Sequence, residues 1–197
     1  MIFFNRLAAI SLFVLALLPG ARAYAGEPTV QLSATVNELV TILVNTPVAE
    51  LRAKGLPERA LKLVYDRFDF SELTKRSLGR HWQALDESQQ REFVNALTQK
   101  LLVAYGRTVR ASGDEKVEFT SEVIDGNLAN VQTKIVSSSG EFPIDYRMMV
   151  SNGQWKVYDM VIENVSVVNN YRAQFERVIS RSSVKELLAM MMKQRES

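Results

Sequence analysis

The sequence lacks cysteine altogether and contains a single histidine, His81, among its 197 residues. Without a thiol, disulfides, thiol nucleophiles and cysteine-ligated metal sites are excluded. A zinc site would have at most one histidine ligand, and a Ser-His-Asp triad could use only His81. No nucleophile or acid partner is signalled around Gly79-Arg80-His81-Trp82. We therefore interpret His81 as a structural or surface residue.

The sequence also lacks an excess of charge of either sign. It has 24 basic and 22 acidic residues, a net charge of +2. Arg6 and Arg22 lie in the first 25 residues, which contain no acid, so the rest of the chain has 22 residues of each sign. A nucleic-acid-binding protein needs a basic surplus to neutralise phosphates. The overall charge therefore gives no support to nucleic-acid binding.

Only the N-terminus carries a long apolar run. Arg6 is followed by the uncharged Leu7–Leu18, and Pro19-Gly20 ends the run. Small residues suited to cleavage follow, as Ala21-Arg22-Ala23 or Ala23-Tyr24-Ala25. The run is short for a membrane span, which needs about 20 apolar residues. The pattern predicts a secretory signal peptide over residues 1–25, with no lipid attachment, and one exported domain over residues 26–197.

Apolar stripes with helical periodicity occupy the first half of the remaining chain. One helix is predicted from Pro28 to about Asn45-Thr46-Pro47, and a second from Pro57 to about Phe68. Asp69 or Ser71 can cap a third, which Gly79 ends. Further helices are predicted after Asp86, with Gln89 completing a capping box, after Ser166, and after Ser183 with Glu186.

Alternating apolar and polar residues predict four strands between the fourth helix and Ser166. Tight-turn residues separate them, namely Asp125-Gly126-Asn127, Ser137-Ser138-Ser139-Gly140 and Ser151-Asn152-Gly153. Sequential hairpins make an antiparallel meander. We therefore predict an α+β fold in which a four-stranded antiparallel meander packs against several helices.

The last of these strands, from Trp155 to Ile162, is apolar on both faces. Strict alternation places Trp155, Val157 and Val161 on one face. It places Tyr158, Met160 and Ile162 on the other. Helices on both faces would explain this pattern, and so would a core on one face and an apolar ligand on the other.

Four short motifs follow one another along the chain. They are Phe68-Asp69-Phe70, Leu78-Gly79-Arg80-His81-Trp82, Trp155-Lys156-Val157-Tyr158-Asp159, and Ile162-Glu163-Asn164-Val165-Ser166 through Tyr171-Arg172. In this order they resemble the toluene-tolerance family of periplasmic phospholipid carriers, which serve the Mla system that maintains outer-membrane lipid asymmetry. One departure is Asn164, where the family usually has Gly; Asn also tolerates positive φ.

The resemblance implies a curved sheet and helices enclosing an apolar lipid pocket, with no catalytic residues, metal or cofactor. It also implies a monomer in the periplasm that exchanges phospholipid with two partners. These are an inner-membrane ABC transporter complex with a membrane-anchored lipid-binding subunit, and an outer-membrane lipoprotein–porin complex. With such a pocket, the expected lipid-binding residues are Tyr105, Val109, Phe119, Val131, Ile135, Ile144, Tyr146, Met148, Tyr158, Met160 and Ile162.

Three alternatives stay open. The cargo could be a polycyclic lipid such as a hopanoid, or the chain could be an exported scaffolding protein. It could also be a small exported enzyme using Asp159, Glu163 and His81, although no spacing rule fixes a reaction for them. A simpler interpretation makes Asp159 a buried acid paired with Arg147 or Arg172.

Overall fold

The computed structural model describes residues 26–106, 115–138 and 140–193, and it confirms the predicted α+β class. A 3₁₀ turn, Gly79–Ala84, separates the fourth helix from the fifth. The helices are α1 (Glu27–Val44), α2 (Val48–Lys54), α3 (Glu58–Arg67), α4 (Phe70–Leu78), α5 (Glu87–Gly106), α6 (Val167–Ile179) and α7 (Val184–Lys193). The strands are β1 (Lys116–Asp125), β2 (Leu128–Ser137), β3 (Gly140–Ser151), β4 (Gln154–Ile162) and β5 (Val165–Ser166).

Side-chain caps begin the helices where the sequence predicts them. At the start of α4, the Asp69 carboxylate accepts a hydrogen bond from the backbone N–H of Glu72 at 2.8 Å. Gly79 ends that helix with a φ of +55°. Asp86 and Gln89 form the predicted capping box before α5, since each side chain accepts from the other's backbone N–H. The short α2, which lies between two prolines, is an element that the periodicity does not predict.

The sheet is an antiparallel meander in the order β1-β2-β3-β4-β5. Its four long strands are those predicted, and the two-residue β5 is additional. Glu163 and Asn164 form the turn before β5, with φ of +48° and +67°, so Asn164 adopts the positive φ expected of it. This turn folds the chain back so that Ser166 pairs with Val161 and caps α6 through its hydroxyl.

A bulge in β4 overturns the strict alternation predicted for that strand. Met148 pairs with Val157 and Arg147 pairs with Asp159, which leaves Tyr158 as the extra residue. Beyond the bulge, Met160 pairs with Tyr146 and so joins the face of Val157.

The opposite face of β4 also differs from the face that strict alternation predicts. Val161 pairs with Asp145 and therefore leaves the face of Trp155. The Tyr158 ring lies 4.1 Å from the guanidinium carbon of Arg76 on α4, and Tyr158 borders the same outer groove as Arg147. The bulge thus brings Met160 and Ile162 onto the face of Trp155 and Val157, here called the inner face, and leaves Tyr158 on the opposite, outer face.

Helix α1 packs across the inner face and is fixed there at its N-terminus. The Glu122 carboxylate of β1 accepts hydrogen bonds from the backbone N–H of Gly26 at 2.9 Å and of Thr29 at 2.7 Å. It also accepts from the Thr29 hydroxyl at 2.6 Å. A carboxylate at a helix N-terminus satisfies donors that the helix itself leaves unpaired.

The core has two parts. The sheet cluster lies between α1 and the inner face, and the helical cluster lies among α4, α5, α6 and α7. Within the described residues, no helix is long and apolar enough to cross a membrane. The sheet cluster comprises Leu32, Ala129, Val131, Met148, Trp155 and Val157. The helical cluster is built on Leu73, Leu78, Phe93, Leu97, Leu101, Val167, Tyr171, Phe175, Leu187 and Met191.

Candidate functional site

An apolar cavity of about 200 Å³ lies at the seam between the sheet cluster and the helical cluster. Leu32 comes from the sheet cluster, Leu73 comes from the helical cluster, and Met160 packs against both. The cavity thus opens where the two parts of the core meet. Its lining residues are Leu32, Thr35, Val36, Leu39, Leu56, Val64, Arg67, Phe68, Phe70, Leu73, Leu101, Leu102, Tyr146, Met160 and Val167.

A void of this size lowers the stability of the fold. Protein interiors hold few voids larger than a water molecule, and cavities left by core truncation cost about 24 cal/mol per Å³. The cavity of about 200 Å³ is partly open to solvent, so this rate gives an upper limit of roughly 5 kcal/mol for what its lining loses by remaining unpacked. Folding stability therefore does not explain the cavity, and an apolar ligand that filled it would recover the lost contacts.

Arg67 is the charged residue of the lining, and it joins three elements around the cavity. Its Nε donates to the Thr35 hydroxyl at 3.0 Å, and its Nη1 donates to the Gln31 side chain at 3.0 Å and to the Trp155 carbonyl at 2.6 Å. Burial lowers the pKa of Arg67 below its ordinary value, an effect that the neighbouring Asp66 charge partly offsets. Even so, the guanidinium stays charged at neutral pH.

Tyr146 places a hydroxyl in the otherwise apolar part of the lining. It lies on β3, opposite Met160 of β4. Burial raises the pKa of Tyr146 to about 12, so the phenol is protonated at neutral pH. Within the described residues this hydroxyl has no hydrogen-bond partner, which leaves a donor available to whatever occupies the cavity.

The structure brings two of the predicted lipid-binding residues, Tyr146 and Met160, into the cavity lining. Val131 and Met148 lie on the same face but are fully buried in the sheet cluster, and Phe119 packs against that cluster. These three residues support the cavity from the side of the sheet and do not line it.

The remaining predicted positions are spread more widely. Ile144 pairs with Ile162, and Ile135 pairs with Phe142, beyond the Tyr146–Met160 pair on the inner face, and none of them lines the cavity. Tyr158 lies on the outer face, and the bulge separates it from Met160 and Ile162, with which it was predicted to share a face. The side chain of Tyr105 and the whole of Val109 fall outside the described residues. Their predicted role is not tested.

Most of the lining comes from α1, α3 and α4, which contribute no residue to the predicted site. Val36 and Leu39 come from α1, Val64 from α3, and Phe70 and Leu73 from α4. Their helical stripes are visible in the sequence, but a stripe shows only that a face is buried. It does not show whether the face meets another side chain or a void.

The residues of the enzyme alternative do not converge. The Asp159 carboxylate is buried and accepts from Arg147 at 3.1 Å, the Ser166 hydroxyl at 2.7 Å and the Val168 N–H at 3.0 Å. Arg147 is thus the partner of Asp159. Across the described ranges, none of the three proposed catalytic residues lines the cavity, and no cluster of acidic and histidine side chains is arranged to hold a metal ion.

His81 belongs to a separate surface cluster. Its Nε2 lies 2.9 Å from one carboxylate oxygen of Glu176, and Arg80 donates to the other at 2.5 Å. The hydrogen bond from His81 holds the pKa of Glu176 below its ordinary value of 4.5, and the Arg80 charge acts in the same direction. The cluster links the 3₁₀ turn to α6, as expected of a structural histidine.

A second depression lies on the outer face of the sheet. It measures about 540 Å³, is open to solvent and is lined by both apolar and charged side chains, including Val123, Asp145, Arg147, Tyr158 and Val161. An open groove of mixed polarity removes less apolar surface from water than a less open cavity whose lining is mostly apolar. The inner cavity is therefore the stronger candidate for an apolar ligand.

Comparison with known proteins connects this architecture to a family. A sequence model of the MlaC protein family matches residues 33–193, which include the helical cluster, the sheet cluster except Leu32, and all but the beginning of α1. The chain belongs to the MlaC family. The resemblance seen in the sequence motifs is thereby confirmed.

Individual MlaC relatives are distant in sequence. The intermembrane phospholipid transport system binding protein MlaC of Haemophilus influenzae is 23% identical over 120 residues, which cover 58% of this chain and 56% of that protein. The match therefore spans little more than half of the relative's length. A solved phospholipid-binding protein from Ralstonia solanacearum, in complex with a phospholipid, shares the fold. It has a TM-score of 0.74 and 23% identity, and the match covers 85% of this chain and 96% of that one.

Proposed function

We propose that this member of the MlaC family is a periplasmic carrier that binds phospholipid by its acyl chains in the cavity between the two core clusters. It would exchange lipid with an inner-membrane ABC transporter complex and an outer-membrane lipoprotein–porin complex, and so maintain outer-membrane lipid asymmetry. The observation that carries the proposal is the apolar cavity of about 200 Å³ in a chain of this family. The names of both distant relatives refer to phospholipid, which supports the choice of cargo.

Burial energetics explain why such a carrier is needed. Moving one CH₂ group out of water is favourable by about 0.8 kcal/mol, so transferring an acyl chain of about 16 carbons from a membrane into water costs roughly 12 kcal/mol of free energy. Free lipid therefore crosses an aqueous space very slowly. A carrier must replace most of that burial, while the charged head group stays near water because an unpaired buried phosphate is costly.

Lipid loading requires the cavity to widen. Sites for small ligands usually measure about 300–1,000 Å³, whereas this cavity measures about 200 Å³. Helix α4 is an unsuitable gate, because the Asp69 N–H donates to the Val157 carbonyl at 2.8 Å and Arg172 donates twice to the Arg76 carbonyl. The segment containing α2 is mostly exposed and contributes only Leu56 to the lining. We therefore assign the opening to residues 45–57.

This opening has a direct readout in amide hydrogen exchange. Residues 45–57 should exchange faster than α4 in the lipid-free protein, and lipid loading should slow exchange in residues 45–57 more than in α4. Equal protection of the two segments in both states would contradict the assignment.

The carrier function is tested by expressing the full chain in a bacterium with two membranes and purifying it from the periplasm without detergent. Native mass spectrometry should then show protein with bound phospholipid, and N-terminal sequencing should find cleavage after Ala23 or Ala25. Because hydrophobic burial alone holds the cargo in this proposal, lipid should remain bound after chelation and in His81→Ala. Protein that is lipid-free after purification, and that stays so after incubation with vesicles, would refute the proposal.

A further inference from the structure

Arg67 has a free pair of donors at an apolar cavity. Its Nε and Nη1 are bonded to neutral acceptors, whereas Nη2 has no hydrogen-bond partner in the part of the chain that the structure describes. Arg67 is half-buried, and no buried side-chain nitrogen of the described residues lacks a partner, so Nη2 contacts solvent. A planar guanidinium can therefore keep its three structural hydrogen bonds and still offer Nη2 to a ligand.

The charge of Arg67 is likewise not neutralised by a direct contact. No carboxylate of residues 26–106, 115–138 or 140–193 lies within ion-pair distance of it. The adjacent Asp66 binds Lys62 at 2.5 Å instead. By contrast Arg59, on the same helix, is exposed and paired with Glu38. Arg67 is therefore a half-buried cation whose charge a bound anion would neutralise.

Tyr146 supplies a second available donor in the same cavity. Its side chain lines the cavity, and its hydroxyl is without a hydrogen-bond partner in the described chain. Because no buried side-chain nitrogen or oxygen of the described residues lacks a partner, this hydroxyl keeps contact with solvent, and a ligand oxygen can replace water as its acceptor. Both available groups are donors, so the ligand they fit presents acceptors.

We propose that Arg67 Nη2 binds the phosphate of a glycerophospholipid and that the Tyr146 hydroxyl donates to an acceptor oxygen of the same lipid, such as an ester carbonyl. This inference rests on the proposed function and narrows its cargo. An acyl lipid with a phosphodiester carries both acceptors next to its chains. A polycyclic hydrocarbon lipid without phosphate leaves the guanidinium unpaired. The cavity therefore selects phospholipid over neutral lipids of equal chain length.

The experiment uses two lipids that differ only in the phosphate head group. The exported protein is stripped of lipid and incubated with vesicles containing equal amounts of phosphatidylglycerol and the diacylglycerol with the same acyl chains. The protein is then re-isolated, and both lipids are counted by mass spectrometry. The wild type should load phosphatidylglycerol in at least about tenfold excess, as expected for a charge-assisted hydrogen bond.

Variants separate binding by Arg67 from its structural contacts. Arg67→Met should reduce the excess by about tenfold, and Arg67→Lys should restore part of it, because lysine keeps the charge and loses the fork. The matched control Arg59→Met, on the same helix, should keep the wild-type excess. Tyr146→Phe should lower total loading of both ester lipids by a few fold.

The wild-type measurement keeps the test decisive even if Arg67→Met does not fold. Equal loading of the two lipids by the wild type overturns the inference and leaves the carrier function standing. Loading of neither lipid refutes the carrier function itself. A wild-type excess that survives in folded Arg67→Met overturns the assignment of Arg67.

A second experiment uses inorganic phosphate, because free phosphate presents the same anionic oxygens to Arg67 as the lipid head group does. Binding to the stripped protein is followed by ³¹P NMR. If phosphate binds in an Arg67-dependent manner while the lipid excess is independent of Arg67, the site binds free phosphate, and the head-group assignment fails. Weak or absent phosphate binding with an Arg67-dependent lipid excess supports the head group as the ligand.

Discussion

Filling the cavity should stabilise the protein and impair lipid loading at the same time. Val36 of α1 lines the cavity and is half-buried, so Val36→Phe directs a phenyl ring into existing space. The ring adds about 50 Å³ of side-chain volume. Filling that much of the cavity should raise the free energy of unfolding by about 1 kcal/mol, at 24 cal/mol per Å³. The thermal midpoint of the lipid-free protein should therefore rise by about 2–4 °C.

A volume of about 50 Å³ is roughly that of two CH₂ groups, so the ring displaces about two CH₂ groups of the bound acyl chain. The binding free energy should therefore weaken by about 1.6 kcal/mol, which is about fifteenfold in affinity. Calorimetry on stripped protein and vesicle loading measure the two effects. The matched control is Val30→Phe, because Val30 lies on the same helix, is 55% exposed and is not part of the lining. A Val36→Phe protein that is folded and loads lipid like the control would show that the chains lie elsewhere.

Three other changes probe the remaining parts of the account. Ile144→Asp should reduce lipid loading more than Val123→Asp, because a chain longer than the cavity must continue along the inner face, whereas Val123 is exposed on the outer groove; equal loading in the vesicle assay would exclude that path. Asp159→Ala should lower the free energy of unfolding by about 2–4 kcal/mol in a urea titration, since three hydrogen bonds are lost, and a loss below 1 kcal/mol would contradict this role. The His81 hydrogen bond holds the pKa of Glu176 in the folded state below its ordinary value of 4.5. The ionised Glu176 therefore stabilises the folded state fully above pH 4.5, and this stabilisation is lost as the pH falls through the pKa of the folded state. The difference in thermal midpoint between wild type and Glu176→Gln should close in that range, and a difference independent of pH would refute the assignment.

The features that the sequence predicted well depend on local interactions. Ser166 accepts from the Asn169 N–H at 3.0 Å and Ser183 accepts from the Glu186 N–H at 3.1 Å, so a cap and its partner lie within one helical turn. Hairpin turns are equally local, which is why the four long strands and their order were predictable.

The features that the sequence did not reveal depend on distant partners. The bulge at Tyr158 is a relation between β4 and β3, and alternation within one strand cannot show it. The cavity depends on how α1 and α3 meet α4 and α5. A leucine such as Leu102 has the same pattern whether it meets a side chain or a void. The predicted site therefore followed mainly the sheet, while most of the lining came from α1, α3 and α4.

The most direct measurement is an X-ray structure of the protein purified with its lipid. We expect acyl-chain density in the cavity between the two core clusters, in contact with Val36, Phe70 and Met160, with the cavity enlarged relative to about 200 Å³. Lipid density in the outer groove beside Tyr158, with an unchanged and empty inner cavity, would contradict the account.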